Sequence, residues 1–451
     1  MQPYRPQSLS PQATAEQFAA RSPHAPSVRA FLEQNGVRVE QWPLRTWDVT
    51  ELTLLALHFH PDLEAARANV AVFQAALDAA AIPAAPSAIP QVERHSRADT
   101  GQSHWTYGMA LEIPVTSPEK GAARMEQARA RLDSARVSAD AMAWQVASRL
   151  RRRLVDALVA DRATDLAERE RRIAAAETES AERSLDAGAG TSTAVTEARR
   201  KLDQASLAQV GARARADRSR VLLAEAIGLP PDAVRPLALS DAGMKALPAP
   251  PDSLAARNAA LQRRADIRLG LLRYEEADAA LKLAVANQYP DIKITPGYLW
   301  DQGDNIWLLA LTVPLQLLQD RSAPVREAEA RRDLEARNFE GLQARTISQV
   351  EVALADYRAG IGALGPAGAL EQAAQEQVVR AGQALAAGAA DRAQVLAADA
   401  ALVGAERERL EAAATVQRAR LDLEDAMQMR LAASGADPRL PALAGTGGAS
   451  W

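Results

Sequence analysis

Two stretches lying 200 residues apart decide the fold of this chain: residues 184–195 read SLDAGAGTSTAV, and residues 384–395 read ALAAGAADRAQV. Each interrupts a long segment, rich in alanine and charged residues, that is otherwise typical of a helix. A helix that ends in a chain reversal needs a residue able to take a positive φ, which glycine adopts without steric penalty. Gly188 and Gly388 meet that need, so the pair predicts two long helical hairpins.

The similarity of the two halves extends beyond these glycines. Each half contains a helical stretch (52–81 or 253–287), two short β-like runs around a polar turn, and two long helical stretches divided by the glycine break. This order predicts a duplicated supersecondary unit rather than a short solenoid repeat. The matched residues are Leu185, Gly188, Val195, Ala198, Leu202, Arg220 and Ala226 with Leu385, Gly388, Val395, Ala398, Leu402, Arg420 and Ala426, and Trp105, Leu111 and Pro114 with Trp307, Leu311 and Pro314.

Composition narrows the possible functions. The 451 residues are 48% hydrophobic but only 4% aromatic, which suits helices packed closely along their length. A net charge of -4 gives no basic excess, so we predict no nucleic-acid partner. The absence of cysteine excludes disulfides, thiolate metal sites and a cysteine nucleophile. The start of the chain has no secretory leader, so the protein either is not exported or is shown without its leader.

The long helical stretches predict packing between chains. No proline occurs between Gly121 and Gly228, and apolar residues recur at three- and four-residue spacing, as at Val146, Leu150 and Leu154. A stretch of roughly 60 residues spans about 90 Å at 1.5 Å per residue. Its apolar stripe must therefore pack against the returning helix and against other chains.

The β-like runs alternate strictly between an apolar face and a small or polar face, as residues 104–113 do. Two readings are open: hairpins half-buried against a soluble core, or strands of a bilayer-spanning barrel with one face toward lipid. Four strands cannot close a barrel, so the second reading needs several protomers. The residues that it predicts to face lipid are Trp105, Tyr107, Met109, Leu111, Ile113, Tyr298, Trp300, Trp307, Leu309, Leu311 and Val313.

No catalytic or metal-binding constellation is present in the sequence. His58 and His60 are two residues apart, so their side chains would diverge on a helix. The DQGD segment at 301–304 lacks the later ligands of a calcium loop, and phosphate-cradling glycine motifs are absent. We therefore predict that the protein is not an enzyme and has neither a metal site nor a cofactor.

The chain resembles the TolC-like outer-membrane efflux family over nearly its whole length. The resemblance rests on the duplicated order of elements, on Gly188 and Gly388, and on particular runs: LLALHFHPDL at 54–63, YPDI at 289–292, IPV at 113–115 and VPL at 313–315. It implies a mainly α fold with a small β part. Three chains would form a twelve-stranded transmembrane β-barrel, four strands each, and a long α-helical barrel in the periplasm.

The resemblance also implies an organisation along the chain. The strands would lie at 89–94, 104–115, 292–300 and 306–315. The GIGALGP run at 360–366 interrupts a helix that the first half leaves intact, and we expect a kink or bulge there. The expected segments are an N-terminal collar (1–50), a first repeat (51–228), an equatorial linker (229–257), a second repeat (258–434) and a tail (435–451).

Site residues follow from the same resemblance. The helix after each glycine turn carries an acidic residue at the periplasmic entrance, which Glu197 matches, whereas Ala397 departs from the pattern and Asp399 lies two residues on. An equally open reading is that Glu197 pairs with Arg200 or Lys201 on the helix surface. The expected adaptor-docking tips are Leu185, Ala187, Gly188, Ala189, Leu385, Ala387, Gly388 and Ala389.

The function implied is a passive exit duct in the outer membrane that extends into the periplasm. Its expected partners are two further copies of the chain, outer-membrane lipid, a periplasmic adaptor (membrane fusion protein) and an inner-membrane efflux pump, with heavy-metal export as the expected type. The alternative is a soluble helical scaffold or coiled-coil interaction protein with small β hairpins.

Overall fold

A computed structural model describes residues 4–6, 8–96, 101–242, 247–301, 303–314 and 322–431. It divides into two compact units, one from Met1–Glu64, Ala141–Arg264 and Thr346–Trp451, the other from Ala65–Asp140 and Ala265–Arg345. The predicted tail 435–451 and Leu315 lie outside the described residues. The elements are α1 (Pro11–Ala19), α2 (Pro26–Gln34), α3 (Val49–Phe59), α4 (Pro61–Ala80), β1 (Ser87–Arg94), β2 (Trp105–Val115), α5 (Pro118–Asp186), α6 (Ser192–Ile227), α7 (Pro231–Val234), α8 (Ser253–Arg263), α9 (Ala265–Ala286), β3 (Ile292–Asp301), β4 (Asp304–Thr312), α10 (Ser322–Ala386) and α11 (Arg392–Met427).

The element order of the first half, from α3 to α6, recurs from α8 to α11. Both α6 and α11 are 36 residues long and both end on a left-handed residue, Gly228 (φ 84°) or Gln428 (φ 47°). The repeat is therefore present in the local geometry of the helix ends as well as in the sequence.

The two predicted opening stretches, 52–81 and 253–287, are helical, but each is divided into two helices. His60 separates α3 from α4 with an extended backbone (φ -69°, ψ 123°), because Pro61 disfavours a helical conformation in the residue before it. Arg264 separates α8 from α9 in the same conformation (φ -62°, ψ 129°). Alanine follows Arg264, so that second break is made without a proline.

The run at 360–366 does not end the helix, because α10 continues through Pro366, and a kink or bulge there stays a prediction. A proline inside a helix removes one N–H donor and crowds the carbonyl four residues earlier, here that of Gly362. A Cβ added to Gly362 would meet nothing within 4 Å. A Cβ added to Gly360 would lie 3.1 Å from the Cα of Val416 on α11. The absence of a side chain at Gly360 therefore permits the close approach of α10 and α11 at this point.

The four strands form one antiparallel sheet in the order β1-β2-β3-β4. Pairing is continuous between β1 and β2 and between β3 and β4, whereas the β2–β3 ladder skips Leu111 and Glu112. The strand predictions are confirmed, with ends displaced by up to three residues. Consequently β1 and β4 are the two edges of the described sheet.

Two related hydrophobic cores lie in the first unit. One packs α3 against α5 and the end of α6, with Leu55, Leu150 and Leu154 fully buried. The other packs α8 and α11 against α10, around Leu354 and Tyr357. Within the described residues, no helix is both long and apolar enough to cross a membrane.

Candidate functional sites: an apolar sheet face and two helical tips

The register of the sheet brings the predicted apolar residues onto one face. Tyr107 lies opposite Trp300, Met109 opposite Tyr298, and Tyr298 opposite Trp307. Because successive residues of a strand point to opposite faces, matching partners in this register share a face. The remaining predicted residues, Trp105, Leu111, Ile113, Leu309 and Leu311, are placed on that face by the same register, and Val313 lies just beyond β4.

This apolar face is exposed in the chain. Trp307 is 81% exposed, Leu309 74%, Leu311 64% and Met109 63%. Aromatic rings contact one another across the strands: Tyr107 and Trp300 have ring centroids 6.1 Å apart, and Tyr298 and Trp307 5.1 Å apart. An exposed apolar surface of this kind marks a site that meets lipid or another protein.

The opposite face carries small and polar residues such as Thr106 and Gly108, together with Leu299, Ile306 and Leu308. A Cβ on Gly108 would lie 2.5 Å from Leu299 Cδ1, so the small residue there permits close packing across the sheet. At the loop end, the Thr106 hydroxyl donates to Asp301, and His95 Nε2 lies 2.9 Å from Thr106 Oγ1. The two faces therefore differ in chemistry as the alternation predicted.

Lys120 at the start of α5 is a positioning residue that the sequence reasoning missed. Its side chain is only 3% exposed, and Nζ donates to the Tyr289 carbonyl at 2.7 Å and to Asp291 at 2.8 Å. Lys120 therefore links the segment that follows β2 to the segment that precedes β3. Lys120 and the YPDI run are about 170 residues apart, and nothing in the sequence indicates that they meet.

The two glycine tips have nearly identical geometry. Gly188 (φ 73°) and Gly388 (φ 70°) adopt the left-handed conformation, and each N–H donates to the carbonyl of Leu185 or Leu385, three residues earlier. Cβ atoms on these glycines would meet nothing within 4 Å. The predicted docking residues Leu185, Ala187, Gly188, Ala189, Leu385, Ala387, Gly388 and Ala389 are all exposed at these two reversals.

The two predicted gate residues differ in their surroundings. Glu197 is exposed on α6 and accepts hydrogen bonds from Arg200 at 2.5 and 2.9 Å. These hydrogen bonds hold the pKa of the Glu197 carboxyl below its usual value. Asp399 is half-buried on α11 and makes no ion pair within the described residues. The surface pairing of Glu197 is thus present, and a gate role for either residue stays a prediction.

An antiparallel sheet with one exposed apolar face, carried on two long helical hairpins, defines the class of outer-membrane channels with a helical extension. The chain belongs to the outer membrane efflux protein family, whose model matches residues 52–229 and 256–427. Members of this family are channels of the outer membrane rather than enzymes.

Solved structures agree on the fold. The outer-membrane channel OprN is 18% identical, covers 84% of this chain and 89% of its own, and has a TM-score of 0.68. VceC of Vibrio cholerae is 17% identical, with coverages of 85% and 97% and a TM-score of 0.68. CusC is 18% identical, with coverages of 87% and 95% and a TM-score of 0.66. No curated protein matches the chain by sequence.

Proposed function

We propose that this protein is the exit duct of a tripartite efflux system. Three copies assemble in the outer membrane and extend into the periplasm, and substrate moves passively through their common lumen. An inner-membrane pump supplies the energy, and a periplasmic adaptor joins the pump to the duct.

The observation that carries this proposal is the sheet with one exposed apolar face and two open edges, β1 and β4. An unpaired strand edge cannot lie in lipid, because its N–H and C=O groups would have no partners there. Pairing β1 of one copy with β4 of the next removes every edge. Three copies of four strands give a twelve-stranded barrel with the exposed apolar face outward and the face of Thr106 and Gly108 inward.

The tips are the surfaces that we assign to adaptor docking. They are exposed, apolar and free of space-filling side chains at Gly188 and Gly388, so a partner's helical hairpin can approach the backbone closely. Glu197 and Asp399 would line the periplasmic gate. The Glu197–Arg200 pair neutralises part of the negative potential that a ring of Glu197 carboxylates would create.

Heavy-metal cations are the substrate class that we carry over from the resemblance. The test compares the growth of cells with and without the gene when they are challenged with copper or zinc salts or with organic dyes. If loss of the gene makes cells sensitive to metal salts alone, heavy-metal cations are supported as substrates. Sensitivity to dyes alone contradicts this substrate class but does not contradict the proposed duct.

The duct itself is tested by reconstitution. Purified protein should be trimeric by native mass spectrometry in detergent and should form conducting pores in planar bilayers. A monomer that neither inserts nor conducts would overturn the proposal in favour of the soluble scaffold. An inserted trimer without conductance would indicate a closed gate, and the double variant Glu197→Ala, Asp399→Ala should then conduct. If that variant also fails to conduct, the proposal of a passive duct is overturned.

A further inference from the structure

The charged residues of the sheet are divided unequally between its two faces. Because side chains alternate along a strand, the register assigns each charged residue to one face. Arg94, the last residue of β1, lies opposite Trp105 and therefore belongs to the apolar face. The other charged residues of the described strands belong to the opposite face: Glu93, Glu112, Lys293, Asp301 and Asp304. Within these strands the apolar face thus carries one cation and no anion.

Arg94 has no anionic partner among the residues that the structure describes. Its side chain is exposed and makes no ion pair there. Its guanidinium carbon lies 5.5 Å from the ring centroid of Trp105, which is a cation–π contact. Pairing β1 with β4 of another copy brings no carboxylate to this face, because the residues of β4 on it are Asn305 and three apolar residues. The cation is left for a ligand outside the strands.

The register also indicates the depth of Arg94 in a membrane. Ala110 is the central residue of β2, and Trp105 is the residue at its loop end. With a rise of about 3.3 Å per residue and a tilt of about 40°, Trp105 lies about 13 Å from the centre of the strand. An apolar band about 25 Å tall ends at that height. Arg94, directly opposite Trp105, therefore lies at the level of lipid headgroups.

The loop end of the sheet belongs to the outer leaflet. Helices α4 and α9 precede β1 and β3, and helices α5 and α10 follow β2 and β4, so all four leave the sheet at the end opposite the loops. The helices of the proposed duct extend into the periplasm. The loops consequently face the outside of the cell, and Arg94 lies among the headgroups of the outer leaflet.

Three aromatic rings beside Arg94 form a surface that we call the aromatic platform: Trp105, Tyr107 and Trp300. The ring centroids of Trp105 and Tyr107 are 6.3 Å apart with planes inclined by 19°, and those of Tyr107 and Trp300 are 6.1 Å apart with planes inclined by 22°. Trp105 is 42% exposed and Tyr107 48%. The electron-rich faces of such rings attract the C–H groups of a sugar ring.

We propose that Arg94 and the aromatic platform bind the headgroup of a phosphorylated glycolipid in the outer leaflet. The inference rests on the proposed duct and names the lipid that its sheet recognises. The planar guanidinium presents two parallel N–H donors that match the oxygens of a phosphate, and the platform packs against the sugar. A phospholipid would supply the phosphate but no sugar ring. A trimer has three equivalent sites, one in each copy.

Native mass spectrometry of the full-length trimer in detergent measures this binding. The probe is bisphosphorylated lipid A, and phosphatidylglycerol is the anionic lipid without a sugar ring. We expect the trimer to retain up to three molecules of lipid A and to bind phosphatidylglycerol more weakly. Arg94→Gln should weaken the binding of lipid A about ten- to a hundredfold, the range for loss of a charge-assisted hydrogen bond.

Lys293→Gln is the matched control. Lys293 is the other cation of the described strands, lies on the opposite face and pairs with Glu112 at 2.9 Å. Its replacement changes the net charge as Arg94→Gln does, but the affinity for lipid A should be unchanged. Equal affinities of the parent protein and Arg94→Gln would overturn the site. An equal loss in Lys293→Gln would overturn it as well, because binding would then follow net charge alone.

Trp105→Leu separates recognition of the sugar from recognition of the phosphate. It keeps the face apolar but removes a ring, so it should weaken the binding of lipid A and leave that of phosphatidylglycerol unchanged. If the parent protein binds phosphatidylglycerol as tightly as lipid A, a glycolipid is refuted as the ligand. The same spectra report assembly: absence of a parent trimer would overturn the duct, whereas a trimer whose lipid binding does not depend on Arg94 would overturn this inference alone.

Discussion

Replacing Leu309 with arginine tests whether the apolar sheet face meets lipid. The central residue of β4 is Leu308, which belongs to the opposite face, and Leu309 is the next residue on the apolar face. With a rise of about 3.3 Å per residue and a tilt of about 40°, Leu309 lies about 3 Å and Leu311 about 8 Å from the centre of the strand. An apolar band about 25 Å tall would enclose both.

The expected loss follows from this depth. An arginine near the midplane costs about 2–4 kcal/mol and progressively less toward the interface, so Leu309→Arg should cost about 3 kcal/mol and Leu311→Arg about 2 kcal/mol. Leu308→Arg is the matched control, since it changes the same residue type one position away on the face assigned to the lumen. Its cost should stay below about 1 kcal/mol, as for a solvent-exposed substitution.

The assay is the free energy of unfolding from lipid vesicles in urea, followed by tryptophan fluorescence. The decisive comparison is between the two neighbours, Leu309 and Leu308. Equal costs for both arginines, or a larger cost at Leu308, would refute the assignment of the apolar face to lipid. Equal losses of unfolding free energy for Leu309→Arg and Leu311→Arg would refute the inferred difference in membrane depth between the two residues, but not the contact of this face with lipid.

Three further predictions concern the rest of the chain. Ala187→Trp and Ala387→Trp should abolish export in a cell-based efflux assay by blocking the exposed tips, and unchanged export from the trimeric variants would contradict docking there. Burial and the hydrogen bond with its neighbouring aspartate raise the pKa of Glu51 from 4.5 to about 7, so its contribution to stability should be full below about pH 4.5 and lost as the pH rises through about 7. Glu51→Gln should flatten this pH dependence in thermal unfolding and stabilise the protein by about 1–2 kcal/mol at pH 8, after allowance for solvent screening; the same pH profile in both proteins would refute this. Glu424 is fully buried and pairs with both Arg151 and Arg420, so Arg151→Met, which leaves the Arg420 contact in place, should lower the free energy of unfolding in urea by about 1.5–3 kcal/mol; a variant as stable as the parent protein would refute this.

Local pattern was sufficient for the reversals and for the strand faces. Gly188 and Gly388 adopt the positive φ expected of them, and the sheet register places the predicted apolar residues on one face. Both properties depend on a residue's immediate neighbours: a positive φ selects glycine, and a strand alternates with a period of two. The family resemblance, too, could be read from the order of such local features.

The sequence by itself determined the repeat, the hairpins and the two chemically distinct strand faces, because each is written in residues that are close together along the chain. Only the tertiary structure decided the break at Arg264, the partner of Lys120 and the polar contacts between α5 and α11. Those features depend on side chains brought together from positions up to about 280 residues apart, as Trp144 and Asp425 are. Periodicity marks a face as apolar or charged, but which helix covers that face is set by packing in three dimensions.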